Sequence, residues 1–385
     1  MYILGTTYDM WLTTATLLKD GEIVAACPEE RLTRIKCCRD FPIKAIEFCL
    51  EVANITINDL DAIAFAWNPG FHVSHYNARF AHTQRWRGEY LYTVPNHFSR
   101  MLTEEYERIV TTLLLEKSKK KIPIHYIPHH LCHAASAFYL SPFEESAILT
   151  SDGRGEVDAN WFGYAKENKI IELKTDKYPH SIGELYSTIT QFLGFNRHVD
   201  EWKVMALASY QDSENNPFIE KLGKLLNFQE DGSVKLDLNF FDFYLHDRPY
   251  YFNINLHEIL GPARKKGEPL TDRHEKIANA IQYLCEKSLA HMANWLQKEI
   301  GLDNVVVCGG TFMNSVFNGK IIEKTSFENS WIPSAPDDSG TSIGAALYTY
   351  HDVFKGKKRN VQTHNYFGPN FSSKEIEKCL KDYKI

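Results

Sequence analysis

Short apolar runs over Tyr2–Gly5, Thr13–Lys19 and Glu22–Ala26 predict three β-strands, with Asp20-Gly21 as a tight turn between the second and third. A helix follows from about Pro42, where Ala45, Ile46, Cys49, Leu50 and Ala53 recur at helical spacing. Ile63–Trp67 and Ile124–Ile127 predict further strands. The strand-strand-strand opening then repeats at Ala147–Thr150, Trp161–Ala165 and Lys169–Leu173. Between Ile182 and Leu207 helical pattern alternates with glycine breaks, whereas residues 211–270 are polar and irregular and predict an excursion from the main body. His274–Ile300 predicts the longest helix, with one apolar stripe of Ile277, Ile281, Leu284, Leu289, Met292 and Leu296. It leads into a buried strand at Val305–Cys308 and later a small-residue helix beyond Asp338, and Ser372 can cap a last amphipathic helix.

Three meandering strands, a helix and another strand form the opening of a ribonuclease-H-like lobe, in which early strand turns approach the phosphates of a nucleotide. Its repetition predicts two similar α/β lobes facing each other across a cleft. The boundaries expected from the pattern are residues 1–145 and 146–362, with 363–385 the opening of a further unit. A length of 385 residues suits two lobes better than one core. Residues 68–120 are rich in aromatics and arginines, including Phe71, Tyr76, Phe80, Trp86, Arg87, Tyr90 and Tyr92; plain packing accounts for them more simply than an acceptor-binding insertion does.

Composition narrows the class. The hydrophobic fraction of 44% and charged fraction of 24% are those of a globular protein, and no apolar run approaches a membrane span. The N-terminus reads as a first core strand, not a signal peptide, so a cytoplasmic location is expected. Eight scattered cysteines without a Cys-x-x-Cys pair predict reduced thiols. A net charge of −6 argues against a nucleic-acid footprint, and the run Lys117-Ser118-Lys119-Lys120-Lys121 reads as a solvated loop or helix end.

The candidate chemistry centres on Pro128-His129-His130-Leu131-Cys132-His133, followed by an Ala/Ser run that favours a helix. His129 and His133 lie one turn apart on one helix face, a spacing that suits two imidazoles on one metal ion. Helix-end histidines with ordinary hydrogen bonds are the alternative. A zinc protease of the His-Glu-x-x-His type needs a glutamate where this chain has His130, which excludes that reading. Further ligands must come from elsewhere, and carboxylates at predicted strand ends direct attention to Asp152 and Asp338.

Asp152, Arg154 and Lys203 are the candidate catalytic residues. Lys203 stands at the start of an apolar helix, where a phosphate would meet its charge and the helix dipole; a surface lysine is the alternative. Gly153, Gly155, Gly183, Gly309, Gly310, Asn314 and Gly340 are candidates for a nucleotide site, since glycine lets backbone approach a flat ligand closely. A tight strand-helix turn at Gly309-Gly310 and an Asx-turn at Asp152 are the structural alternatives.

The ordered blocks Pro28–Lys36 with Phe41-Pro42, His129–His133, Asp152–Glu156, Gly183–Phe195, Glu201–Ala208, Gly261–His274, Gly309–Asn314 and Asp338–Ala346 together resemble the O-carbamoyltransferase family of nodulation proteins and antibiotic-tailoring enzymes. The resemblance implies a two-lobed, actin-like fold related to the tRNA threonylcarbamoyl transferase. It implies that His129, His133, Asp152 and Asp338 hold one metal, Fe2+ or another divalent transition ion. The implied reaction moves a carbamoyl group from carbamoyl-adenylate, made from carbamoyl phosphate and ATP, to a hydroxyl of a sugar or secondary metabolite, releasing AMP. In such proteins a separate C-terminal domain makes the adenylate, so either a truncated chain or a companion protein is expected. The family's His-Asp pair in the first strand turn is replaced here by Trp11-Leu12. A nucleotide-binding module with impaired catalysis and an actin-like sugar kinase using magnesium are the competing readings.

Overall fold

The computed structural model describes residues 1–8, 12–68, 109–245 and 248–383. Trp11 and the aromatic stretch of Phe71, Tyr76, Phe80, Trp86, Arg87, Tyr90 and Tyr92 lie outside the described residues.

The first sheet contains β1 (Tyr2–Thr7), β2 (Thr14–Lys19), β3 (Glu22–Pro28), β4 (Ala62–Phe65), β5 (Val110–Leu114) and β6 (Lys121–Tyr126), in the order β3-β2-β1-β4-β6-β5. The second contains β7 (Ser146–Ser151), β8 (Asp158–Lys166), β9 (Lys169–Lys177), β12 (Asn304–Cys308) and β13 (Asn329–Trp331), in the order β13-β12-β7-β8-β9. Each sheet is built the same way. Its first strand pairs antiparallel with the next strand of a meander on one edge and parallel with a crossover strand on the other: β1 with β2 and β4, and β7 with β8 and β12. This is the ribonuclease-H-like order used twice, the arrangement of an actin-like fold.

The main helices, in chain order, are α1 (Ile43–Val52), α2 (His129–Leu140), α3 (Ile182–Phe192), α4 (Glu201–Ala208), α5 (Pro217–Gly223), α6 (Ile254–Leu260), α7 (Asp272–Ile300), α8 (Thr341–Tyr348) and α9 (Ser373–Asp382). The predicted apolar stripe of α7 is buried from Ile277 to Leu296, and Gly301 ends the helix at φ +68°.

Helices α2 and α8 lie between the sheets, where their apolar residues share one core with Ile3 and Leu18 of the first sheet and Ile148, Val306 and Cys308 of the second. At Gly344 a Cβ would collide with the carbonyl oxygen of Cys132, so the two helices cross at a distance that only glycine allows. Ser342 of α8 accepts from Thr14 Oγ1 at 2.8 Å and bonds Thr16 Oγ1 at 2.8 Å. The two sequence halves therefore interlock: a helix encoded late in the chain is riveted to its first hairpin.

Residues 211–270 are not an excursion. Helices α5 and α6 and the hairpin of β10 (Leu226–Phe228) and β11 (Val234–Leu236) bury Phe218, Leu222, Val234, Phe241, Phe243 and Leu256 in the same core as α3 and α7. Polar composition concealed this because the apolar residues are spaced by turns, without one period. Strand β5 also escapes the periodicity, since it is an edge strand with no buried residue, held by its pairing with β6. Of the lysine run, Lys117-Ser118-Lys119-Lys120 lies in the turn between those two strands and Lys121 opens β6. All eight cysteines are free thiols. No described helix is long and apolar enough to cross a membrane.

Candidate metal centre

Helix α2 starts without a side-chain cap of its own, because Pro128 occupies the N-cap position. The orphan N–H of His129 instead donates to the Glu156 carboxylate at 3.0 and 3.2 Å, and the N–H of Asn68 donates to the same group at 2.6 Å. Glu156 thus ties the loop after β4 and the first turn of α2 to the β7–β8 turn that carries Asp152. Burial pushes the Glu156 carboxyl up to about 7.

The three histidines of α2 diverge. His129 and His133 are fully buried with their Nε2 atoms 3.1 Å apart. His130 points elsewhere, bonding Thr150 Oγ1 through Nδ1 at 2.6 Å and the Asp158 carbonyl through Nε2 at 3.1 Å. Burial, with the neighbouring His129, lowers His130 to about 4, so it sits in the core as a neutral, fully bonded ring.

Two carboxylates close on the imidazole pair. His129 Nε2 lies 3.0 Å from Asp152 Oδ2 and 3.3 Å from Asp338 Oδ1; His133 Nε2 lies 3.4 and 3.6 Å from the same oxygens. One donor atom from each of the four residues falls within 4.8 Å of all the others. Donors bound about 2.1 Å from one cation, at octahedral or tetrahedral angles, are separated by about 3.0 to 3.4 Å, close to the edges seen here. Two imidazole nitrogens with two carboxylate oxygens suit a divalent transition ion better than magnesium, which prefers oxygen alone.

The charges of the four groups are tightly coupled. Burial opposes protonation of His129, yet the adjacent Asp338 charge and hydrogen bonds accepted by both carboxylates carry it up to about 9. For His133 burial is likewise outweighed, by Cys308 and the same two carboxylates, and it stands well above its ordinary value. Burial would raise Asp152, but the imidazole hydrogen bonds hold it well below the usual carboxylate range; burial and the Asp152 charge would raise Asp338, but the His129 charge and the imidazole hydrogen bonds lower it. Two buried carboxylates thus demand about two positive charges, which imidazolium protons or one divalent cation can supply.

Surrounding groups fix the ligands. Asp152 Oδ1 accepts from the N–H groups of Gly153 at 2.8 Å and Gly310 at 3.1 Å, which leaves Oδ2 for the centre. His133 Nδ1 lies 3.4 Å from Cys308 Sγ, whose thiol donates to the Pro336 carbonyl at 3.3 Å. An Nδ1–H directed at that sulfur leaves the Nε2 lone pair facing the carboxylates. His129 Nδ1 is buried with no hydrogen-bond partner, and the ring lies 5.7 Å from Trp67.

The other candidates take different places. Close approach at Gly183, Gly309 and Gly340 is to the protein's own backbone, at Asp152-Gly153, Ser151 and Ala335 respectively, and Gly155 abuts the His130 ring. Gly309, at φ +102°, lets the turn after β12 fold onto β7 and bring Gly310 to Asp152. These glycines build the carboxylate loops. Asn314 exchanges two hydrogen bonds with Gln282, at 2.8 and 3.0 Å, and caps Phe317. Arg154 sits 5.9 Å from the Tyr178 ring. Lys203 pairs with Asp200 at 2.8 Å, away from the four ligands. Glu156 and Cys308 were not singled out by spacing. A helix opening on proline with no capping side chain is the signal that a distant acceptor such as Glu156 is needed.

Residues 2–347 match the family described as carbamoyltransferase N-terminus. An uncharacterized protein of Synechocystis is 33% identical, over 99% of this chain and 62% of its own length. Nodulation protein NolNO of Sinorhizobium fredii is 29% identical, over 93% of this chain and 49% of its own. The chain therefore spans from about half to under two thirds of these relatives. Among solved structures, component A of (R)-2-hydroxyglutaryl-CoA dehydratase from Acidaminococcus fermentans aligns with a TM-score of 0.49 at 15% identity, covering 93% of this chain and 100% of that one.

Proposed function

This chain belongs, over residues 2–347, to the carbamoyltransferase N-terminus family, and from that premise we propose that it carries out carbamoyl transfer from carbamoyl-adenylate to an acceptor hydroxyl. The observation that carries this reading is the convergence of His129, His133, Asp152 and Asp338 on one cation-sized space. These four residues would hold Fe2+ or another divalent transition ion. Bound there, such an ion polarises a carbonyl or phosphoryl oxygen and orients what it holds.

The chain's own residues prepare the site in three ways. Gly153 and Gly310 fix one oxygen of Asp152, so a single carboxylate oxygen is presented. Cys308 orients the His133 ring, and Glu156 sets the start of α2. Burial of the ligands lowers the local dielectric, which strengthens each electrostatic contact with developing charge. In the reaction the acceptor oxygen bonds to the carbamoyl carbon, the anhydride bond to the adenylate phosphate breaks, the hydroxyl proton passes to solvent, and AMP leaves. Carbamoyl phosphate and ATP would supply the adenylate through a separate domain or protein.

Supplying the iron-loaded chain with an adenylate-forming domain from a longer relative, carbamoyl phosphate, ATP and a panel of hydroxylated acceptors tests the proposal. Carbamoylated product with matching AMP, lost in Asp338→Asn, is the expected result. ADP release with sugars and magnesium, without any transition metal, would replace the transferase reading by a kinase.

A further inference from the structure

The loop after α3, the first turn of α4 and the loop between α6 and α7 line a half-open pocket of about 180 Å3 that shares no residue with the four candidate metal ligands. Its walls include Phe195, Asn196, Asp200, Lys203, Arg264 and Lys266. Three cations and one carboxylate therefore line it, in a chain whose net charge is −6. The carboxylate is already satisfied, since Asp200 Oδ1 pairs with Lys203 at 2.8 Å and Oδ2 accepts from the Asn196 N–H at 2.9 Å.

The arginine is held in place before any ligand arrives. Arg264 donates from Nη1 to the Leu193 carbonyl and from Nε to the Glu268 carbonyl, both at 2.8 Å, and its backbone N–H bonds Phe192 at 3.0 Å. Its guanidinium centre lies 5.2 Å from the Phe195 ring, and the Lys203 ammonium lies 6.0 Å from the same ring. Neither Arg264 nor Lys266 has an acidic side-chain partner among the described residues. The held Arg264 guanidinium, with Nη2 uncommitted among the described residues, the Asp200-paired Lys203, the ammonium of Lys266 and a local charge surplus form an anion receptor whose ordering cost is partly met in advance.

We propose that this pocket binds a phosphate dianion, free or at the end of a larger molecule. Pockets that enclose drug-sized ligands run to roughly 300–1,000 Å3, so this one, at about 180 Å3, holds a phosphate group and leaves the body of any larger ligand outside. The inference goes beyond the transfer reaction and stands without it.

The test is calorimetric titration of inorganic phosphate into the chelator-dialysed chain at low chloride, with AMP as a second arm. One saturable phosphate site is expected, weakened about tenfold or more in the Lys203→Gln/Lys266→Gln double variant and unchanged in His133→Ala. AMP no tighter than phosphate identifies the free anion as the ligand; AMP tighter and equally sensitive to the double variant identifies the phosphoryl group of a larger molecule. Absence of saturable binding, equal affinity in the double variant with its thermal transition intact, or loss in His133→Ala would overturn the proposal.

Discussion

Helices α2 and α8 occupy matching positions, each following the crossover strands of its own sheet and each beginning at the candidate metal centre, yet they deliver their candidate ligands differently. α2 carries His129 and His133 within the helix, where the i, i+4 relation sets one ring above the other. α8 carries its ligand one turn earlier: Asp338 sits in the 3-10 turn Asp338–Gly340, and the helix itself begins with Thr341 and Ser342. An imidazole is long and can reach from a helix flank, whereas a carboxylate is short and has to be brought in by the backbone. The histidine half of the centre is therefore set by local geometry, and the carboxylate half by how the β7–β8 turn and the turn before α8 close on it.

The largest expected effect comes from separating the two helices. Gly344→Val places side-chain atoms where the Cys132 carbonyl lies and should cost about 3 kcal/mol in denaturant unfolding, with metal binding lost in parallel. Removing a ligand from either helix tests whether the halves are equal partners. His133→Ala and Asp338→Asn should each lower metal affinity by about a hundredfold or more in a competition titration while the fold persists; retained affinity in Asp338→Asn would make the carboxylate half dispensable.

His130 sharpens the contrast within α2, because it belongs to the core and not to the centre. His130→Phe should cost about 1–3 kcal/mol by leaving Thr150 Oγ1 unpaired, with metal stoichiometry unchanged in the folded protein. Its depressed pKa gives a direction as well. Unfolding releases a ring that titrates near 6.5 from one that titrates near 4, so its contribution is complete above pH 6.5 and fades as the pH falls to about 4, by roughly 3 kcal/mol at most. Glu156 acts oppositely between about pH 4.5 and 7, being raised in the fold, so the difference between wild type and His130→Phe isolates the histidine. The smallest effect is expected at Cys308→Ala, which leaves His133 Nδ1 without its sulfur acceptor and should weaken metal binding about tenfold.

Much of this was legible in the sequence, and the rest was hidden for definite reasons. The meander-plus-crossover pattern was readable twice, because each strand end is marked by turn residues, and the stripe of α7 gave its length within two residues. His129 and His133 were readable because helix periodicity is local. Asp152 and Asp338 could be nominated as strand-end acids, but their meeting depends on packing between Gly309, Gly344 and their neighbours, which no spacing displays. Pro128 at the helix start signals that an acceptor is needed but does not say which, and Cys308 has no local signature: Glu156 bonds Asn68 and His129, and Cys308 bonds His133, across long stretches of chain. The core residues of 211–270 were obscured because turns break up any period among them.

Residues at the starts of both helices are expected to ligate a single ion. X-ray absorption at the iron edge of the iron-reconstituted chain tests it most directly. The expected spectrum has two imidazole nitrogens and carboxylate oxygens at about 2.0–2.2 Å, with one imidazole contribution missing in His133→Ala and an altered oxygen shell in Asp338→Asn. A spectrum with sulfur in the coordination shell, or one that neither substitution changes, would contradict it.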